Sequence, residues 1–130
     1  MSEPTRDQVY KWEGASGKQY EYWVRPIYTL WKEMPGNFIY AKAKHIASGD
    51  WEPLYIGQTR NLRQGLADSE KAAEAIRLGA TYIHAHVSGE IEEERLAEVR
   101  DLVGKHQPPC NKGLQPETTA GRATGQGGKR

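Results

Sequence analysis

The chain has a single cysteine, Cys110, among 130 residues. One cysteine excludes an internal disulfide and any multi-cysteine zinc site, and it fits a reducing compartment, so a cytoplasmic setting is expected. There is no run of about 18 apolar residues, the length that a membrane-spanning helix needs, so no membrane partner is expected. The opening MSEPTRDQVY is polar, and no signal segment is expected in it. Charge of one sign is also scarce, with a net charge of +1. It is unevenly spread: residues 112–130 carry four Lys/Arg and one Glu, while residues 1–111 carry fourteen Lys/Arg and sixteen Asp/Glu, a net of −2. A strongly basic nucleic-acid binder is therefore excluded for the body of the chain, and any such binding falls to local patches.

What is present is the composition of one globular domain, 37% hydrophobic and 27% charged. Residues 9–12 and 20–24 are rich in β-formers, and Gly14, Ala15, Ser16 and Gly17 between them supply a turn, which predicts an N-terminal hairpin. Residues 29–36 read as either a helical turn or a loop stopped by Pro35. Residues 37–44 alternate as a strand, with Phe38, Tyr40, Lys42 and Lys44 on one face and Ile39, Ala41 and Ala43 on the other. A turn at Ser48, Gly49 and Asp50 leads to a partner strand over 51–56. Short helices are predicted over 61–67 and 70–78, the second stopped by Gly79, then a strand over 80–87. A long helix is predicted over 90–105, with Leu96, Val99 and Val103 as its apolar stripe and Glu94, Arg95, Glu98, Asp101 and Lys105 on a solvated face. Pro108 and Pro109 end it. From Lys112 on, five glycines in nineteen residues predict a flexible basic tail. The expected architecture is α+β, a small antiparallel sheet flanked by helices. An extra hairpin and connector (1–34) packs on and covers the edge of a core (35–111), followed by the tail (112–130).

The stretch Gly36-Asn37-Phe38-Ile39-Tyr40, then Leu54-Tyr55-Ile56-Gly57, then Asn61-Leu62, then a helix closing on Pro108-Pro109-Cys110-Asn111, resembles the GIY-YIG nuclease superfamily over about residues 35–111. The resemblance implies a three-stranded antiparallel sheet with flanking helices, cleavage of phosphodiester bonds in DNA, and one divalent metal ion, Mg²⁺ or Mn²⁺ where the protein is active. It also implies two tyrosines beside the scissile phosphate, an arginine ten residues after the second of them, and a metal-holding glutamate twelve residues before the final asparagine. In-line attack on a phosphodiester needs a base for the water and cations for the charge that builds on the phosphoryl oxygens, and a metal held by a carboxylate supplies a Lewis acid.

Carried over position by position, the second tyrosine is Tyr55. The first falls on Phe38, whose ring holds no proton to exchange. Tyr40 stands two residues on, on the same strand face, roughly 6–7 Å away. The arginine position is Gly65, with Arg60 and Arg63 nearby, and the glutamate position is Val99, with Glu98 next to it but about 100° round the helix. Groups that act as a unit lose nearly all activity together. The expected function is thus a catalytically degenerate nuclease-fold module, nucleic-acid-binding or regulatory, without a metal cofactor. It would hold DNA or another nucleic acid through Lys42, Lys44, Arg60, Asn61, Arg63 and the tail. The alternative is an active divalent-metal-dependent DNA endonuclease with a rearranged site: Tyr55 and Tyr40 at the water, Arg63 or Arg60 on the phosphate and Glu98 on the metal. A third reading is a protein-interaction module acting through the aromatic hairpin. His84 and His86, at i and i+2 on one strand face, are expected to be structural, because no third metal ligand accompanies them.

Overall fold

The structure, a computed structural model, describes residues 9–45, 50–67, 70–88 and 90–111. The predicted basic tail lies outside these residues, as does most of the turn before the second core strand. Among the described residues nine elements follow one another: β1 (Val9–Glu13), β2 (Gln19–Pro26), β3 (Gly36–His45), β4 (Asp50–Thr59), α1 (Leu62–Ala67), α2 (Glu70–Arg77), β5 (Tyr82–Val87), α3 (Glu92–His106) and a short 3-10 helix, Pro109–Asn111. Each expected strand and helix is present within a few residues of its expected bounds, and the ambiguous stretch before Gly36 is a loop. Gly79 ends the α2 region at φ +110°, a backbone conformation that a side chain disfavours.

The strands form one antiparallel sheet in the order β1-β2-β5-β3-β4. The N-terminal hairpin therefore covers the β5 edge by pairing with it, Trp23 opposite Ala85 and Val24 opposite His84. Side chains alternate across a sheet, and both faces are packed here. On one face Phe38, Tyr40, Leu54, Ile83 and Ala85 pack with Leu62 of α1, Ala72 and Ala75 of α2, and Cys110. On the other, Trp12, Tyr22, Ile39, Ala41 and Ile56 pack with Leu102 of α3. The hairpin is also tied to α3. Asp101 accepts from the Ser16 backbone N–H at 2.8 Å, from the Ser16 hydroxyl at 2.7 Å and from the Tyr20 hydroxyl at 2.8 Å.

The face of α3 that meets the sheet differs from the expected stripe. Arg95 and Leu102 are its buried residues, Val99 is half-buried, and Glu98 is turned inward rather than solvated. The sheet offers polar partners on that side, so α3 can rotate charged groups inward at little cost. The Arg95 Nε donates to the Gln58 Oε1 at 2.9 Å, and Glu98 meets Tyr22 and His86. No described helix is long and apolar enough to cross a membrane.

Candidate functional site

The two core strands bring the quoted residues together in register. Phe38 pairs with Gly57, Ile39 with Ile56 and Tyr40 with Tyr55. The cross-strand neighbour of Tyr55 is thus Tyr40, and Phe38 sits two rungs away, on the same face, as core. The Phe38 ring packs edge-on against Tyr40 at 5.8 Å and lies 6.0 Å from Tyr55. Tyr40 is buried and its hydroxyl donates to the Leu66 carbonyl at 3.1 Å. Burial first, and the neighbouring Tyr55 second, push its hydroxyl up to about 12. Tyr55 is half-buried, and burial, then the Cys110 thiol, raise its hydroxyl above the ordinary value. A general base works best with a pKa near the operating pH, so both phenols stay protonated at neutral pH and are suited to donating hydrogen bonds.

The cations expected around this pair are dispersed. Arg63 is exposed and donates from Nε to the Trp31 carbonyl at 3.0 Å, with Glu33 at 3.5 Å. It is turned towards the loop of residues 27–35. Lys42 donates to the Leu78 carbonyl at 3.3 Å and lies 4.0 Å from Glu52. The Lys44 side chain is outside the described part of the molecule. Asn61 caps α1, its Oδ1 accepting from the Gln64 backbone N–H at 3.2 Å, which occupies the side chain structurally. Arg60, at the end of β4, is exposed. Gly65 lies against Thr59, where a Cβ would come within 2.4 Å of the Thr59 Oγ1.

Glu98, the expected metal ligand of a rearranged site, stands elsewhere. Its Oε2 accepts from the Tyr22 hydroxyl at 2.5 Å and lies 2.8 Å from the His86 Nε2. These partners belong to the Ile39 and Ile56 face of the sheet, opposite the Tyr40 and Tyr55 side chains. The residues present therefore do not fit a metal shared between Glu98 and the tyrosine pair. Val99, at the glutamate position itself, packs on the α3-side core. Among the described residues no group of three or more His, Cys, Asp or Glu is placed to hold a metal ion.

Three polar constellations were not legible as such in the chain. Tyr22, Glu98 and His86 join β2, α3 and β5, with the Tyr22 and His86 rings 4.4 Å apart. Asn37 is buried, donating to the Arg95 carbonyl at 3.0 Å and accepting from the Ser88 hydroxyl at 2.9 Å. The Asn111 amide is buried on β4, its Oδ1 accepting from the Ile56 N–H at 2.8 Å and its Nδ2 donating to the Ile56 carbonyl at 2.9 Å. The available signal was period-two alternation, which puts Tyr22, Val24, His84 and His86 on one face. It does not say which helix residues rotate to meet them.

His84 is fully buried. Its Nδ1 accepts from the Trp12 Nε1 at 2.9 Å, which places the ring proton on Nε2. Burial lowers it from 6.5 to about 3. The unfolded chain thus takes up a proton below pH about 6.5 that the folded chain refuses, so this stabilisation is complete above that pH and is lost as pH falls towards 3, at about 1.4 kcal/mol per unit. Urea unfolding at pH 7.5 and 5.0 is expected to differ by about 2 kcal/mol on this account. A His84→Gln protein should show a correspondingly shallower slope, and equal slopes in the two proteins would refute the assignment. Compared with known proteins, the chain matches no family model, no curated protein and no solved structure.

Proposed function

We propose that this chain is a nuclease-fold module that binds nucleic acid, or regulates through such binding, and does not cut phosphodiester bonds. One observation carries the reading: Glu98 is committed to Tyr22 and His86 on the sheet face opposite the Tyr40 and Tyr55 pair. A nuclease centre needs its carboxylate, its cation and its water-positioning group around one phosphate. Here Arg63 faces Glu33, Tyr40 is sealed against Leu66, and Gly65 and Val99 hold the positions where the resemblance implies arginine and glutamate. What this region retains for a nucleic acid is the Tyr55 hydroxyl and the exposed Arg60, with Lys42 further along β3. Such a set gives weak, strongly salt-dependent binding.

The expected result with supercoiled plasmid in Mg²⁺ or Mn²⁺ is no nicking above a heat-treated control. Fluorescence anisotropy with a labelled duplex should show binding that weakens steeply between 50 and 200 mM salt, and Arg60→Ala should weaken it further. Nicking that disappears in a Glu98→Ala protein of unchanged fold would overturn the non-cutting reading, and salt-independent binding would overturn the phosphate reading. A second reading, a protein-interaction module, is favoured by one surface. Trp23 is 43% exposed on the hairpin, and Tyr28 and Leu30, at 84% and 74%, lie in the loop that follows.

A further inference from the structure

An open cleft of about 780 Å³ lies between the β1–β2 turn and α3, and the proposed function does not use it. Small-molecule sites run from roughly 300 to 1,000 Å³, so there is room here for a guest of amino-acid size or more. Asp101 closes one end of the cleft and is already saturated. Its carboxylate accepts from the Ser16 N–H, the Ser16 hydroxyl and the Tyr20 hydroxyl. The space itself comes from two small residues in the lining, Ala15 on the turn and Ala97 on α3. Ala97 stands one helical turn before Asp101 and is exposed, so a longer side chain there would fill the cleft.

The charges of the cleft are sorted along the helix. Glu94, Ala97, Glu98 and Asp101, at i, i+3, i+4 and i+7, share one side of α3 and rise by about 10 Å from first to last. Glu94 and Glu98 stand at the N-terminal end. Glu98 is the fixed one, with its side chain 11% exposed. Its Oε2 is held from behind by Tyr22 and His86, and its Oε1 has no hydrogen-bond partner among the described residues. The half-buried Tyr20 also lines the cleft. A fixed carboxylate beside an aromatic ring suits a guanidinium, which donates to the oxygen and stacks on the ring. Lys18 and Arg100 line the Asp101 end. Lys18 is two residues from Ser16, and Arg100 adjoins Asp101. Both are exposed, and no ion pair reaches Lys18, Arg100 or Glu94 among the described residues. Opposite charges therefore face one cleft without being paired, and each end suits the opposite charge on a guest.

We infer that this cleft binds an elongated zwitterion of the arginine type, with its guanidinium at Glu94 and Glu98 and its carboxylate at Lys18 and Arg100. The site lies on the face opposite Tyr40 and Tyr55 and does not rest on the nucleic-acid reading. The test titrates the full chain with L-arginine at constant ionic strength, following backbone amide resonances by NMR. Agmatine, which keeps the guanidinium and lacks the carboxylate, and pentanoate, which lacks the guanidinium, serve as controls. The expected result is saturable shifts centred on Ser16, Lys18 and residues 94–101 with arginine, weaker binding of agmatine, and no saturable shift with pentanoate. Glu98→Gln should weaken arginine binding about tenfold, the loss expected for a hydrogen bond to a charged group. Lys18→Ala and Arg100→Ala together should bring arginine down to the affinity of agmatine and leave agmatine unchanged. Ala97→Leu fills the cleft from an exposed helix position without altering a charge, so it should abolish binding and serves where Glu98→Gln does not fold. A free amino acid and the C-terminal arginine of a peptide share this chemistry. Weaker binding of Nα-acetylarginine than of arginine would assign the free amino acid, and equal or tighter binding the peptide terminus. No saturable shift with arginine, equal binding of pentanoate, or binding indifferent to both Ala97→Leu and a folded Glu98→Gln would overturn the inference.

Discussion

Replacing Asn111 by alanine is expected to lower the stability of the domain by about 3 kcal/mol. β4 is an edge strand, and at Ile56 both outward backbone groups are buried. The Asn111 side chain meets them as another strand would, accepting from the N–H at 2.8 Å and donating to the carbonyl at 2.9 Å. The preceding residues hold it in place: Pro108 is fully buried and Cys110 packs into the core beside Leu54. Alanine removes both bonds and leaves two buried polar groups unsatisfied, each costing roughly 1–3 kcal/mol less whatever water regains. In a domain of this size that corresponds to a fall in Tm on the order of 10–15 °C, readable by calorimetry. Asn111→Asp is the sharper probe. It retains an acceptor for the N–H but sets a carboxylate oxygen against the Ile56 carbonyl, so it should be at least as damaging as alanine. A loss of less than about 0.5 kcal/mol in Asn111→Ala would show that water replaces the amide and that the edge cap contributes little.

Asn111 also illustrates what could be read in the chain and what could not. Its place after Pro108 and Pro109 was legible, because two prolines must end a helix. Its bonding was not, because the partner, Ile56, is 55 residues away and only the fold brings them together. The same division runs through the molecule. Strand alternation in residues 37–44 correctly separated Phe38 and Tyr40 from Ile39 and Ala41, since the backbone imposes a period of two whatever packs on it. The hairpin was recognised by its β-formers and glycine turn, and its pairing with β5 follows from the need to cover an edge. The rotation of α3 was misjudged because hydropathy assigns charged residues to solvent. Arg95 and Glu98 were placed outside, yet they meet Gln58, Tyr22 and His86 inside. A buried charge is tolerated where fixed partners surround it, and those partners come from three different strands. The surroundings of Arg63 were hidden for a related reason. Its position at the start of α1 was clear, but the loop carrying Trp31 and Glu33 captures it, and nothing in the local pattern near Arg63 announces that loop.

Gly65→Arg, the substitution that would restore the arginine implied by the resemblance, is expected to destabilise the domain by about 3 kcal/mol rather than create activity. A Cβ at position 65 would lie 2.4 Å from the Thr59 Oγ1 and 2.7 Å from the Thr59 Cβ. Thr59 has no long flexible arm with which to retreat. Its hydroxyl is also in use, accepting from the Asn61 N–H at 3.1 Å and donating to the Asn61 carbonyl at 3.2 Å, and this closes the turn from β4 into α1. Any side chain at 65 must therefore push α1 away from β4 or break that turn. Gly65→Ala isolates the effect. In an ordinary helix interior this exchange stabilises by roughly 0.5–1 kcal/mol, so a loss here reverses the usual sign. The expected loss is about 2 kcal/mol, measured by urea unfolding. Thr59→Gly clears the colliding atoms. If the clash is the cause, Gly65→Ala should cost much less in the Thr59→Gly background, with a coupling of at least 1 kcal/mol in the double-mutant cycle. Additive losses would mean that the helix tolerates a side chain there and that some other feature requires glycine. The consequence for function follows from the same contact. The strand-to-helix turn is packed around the absence of a side chain at 65, so an arginine cannot be returned to the Tyr55 region by one substitution. Thr59 must change with it, and Glu98 would still face the other side of the sheet.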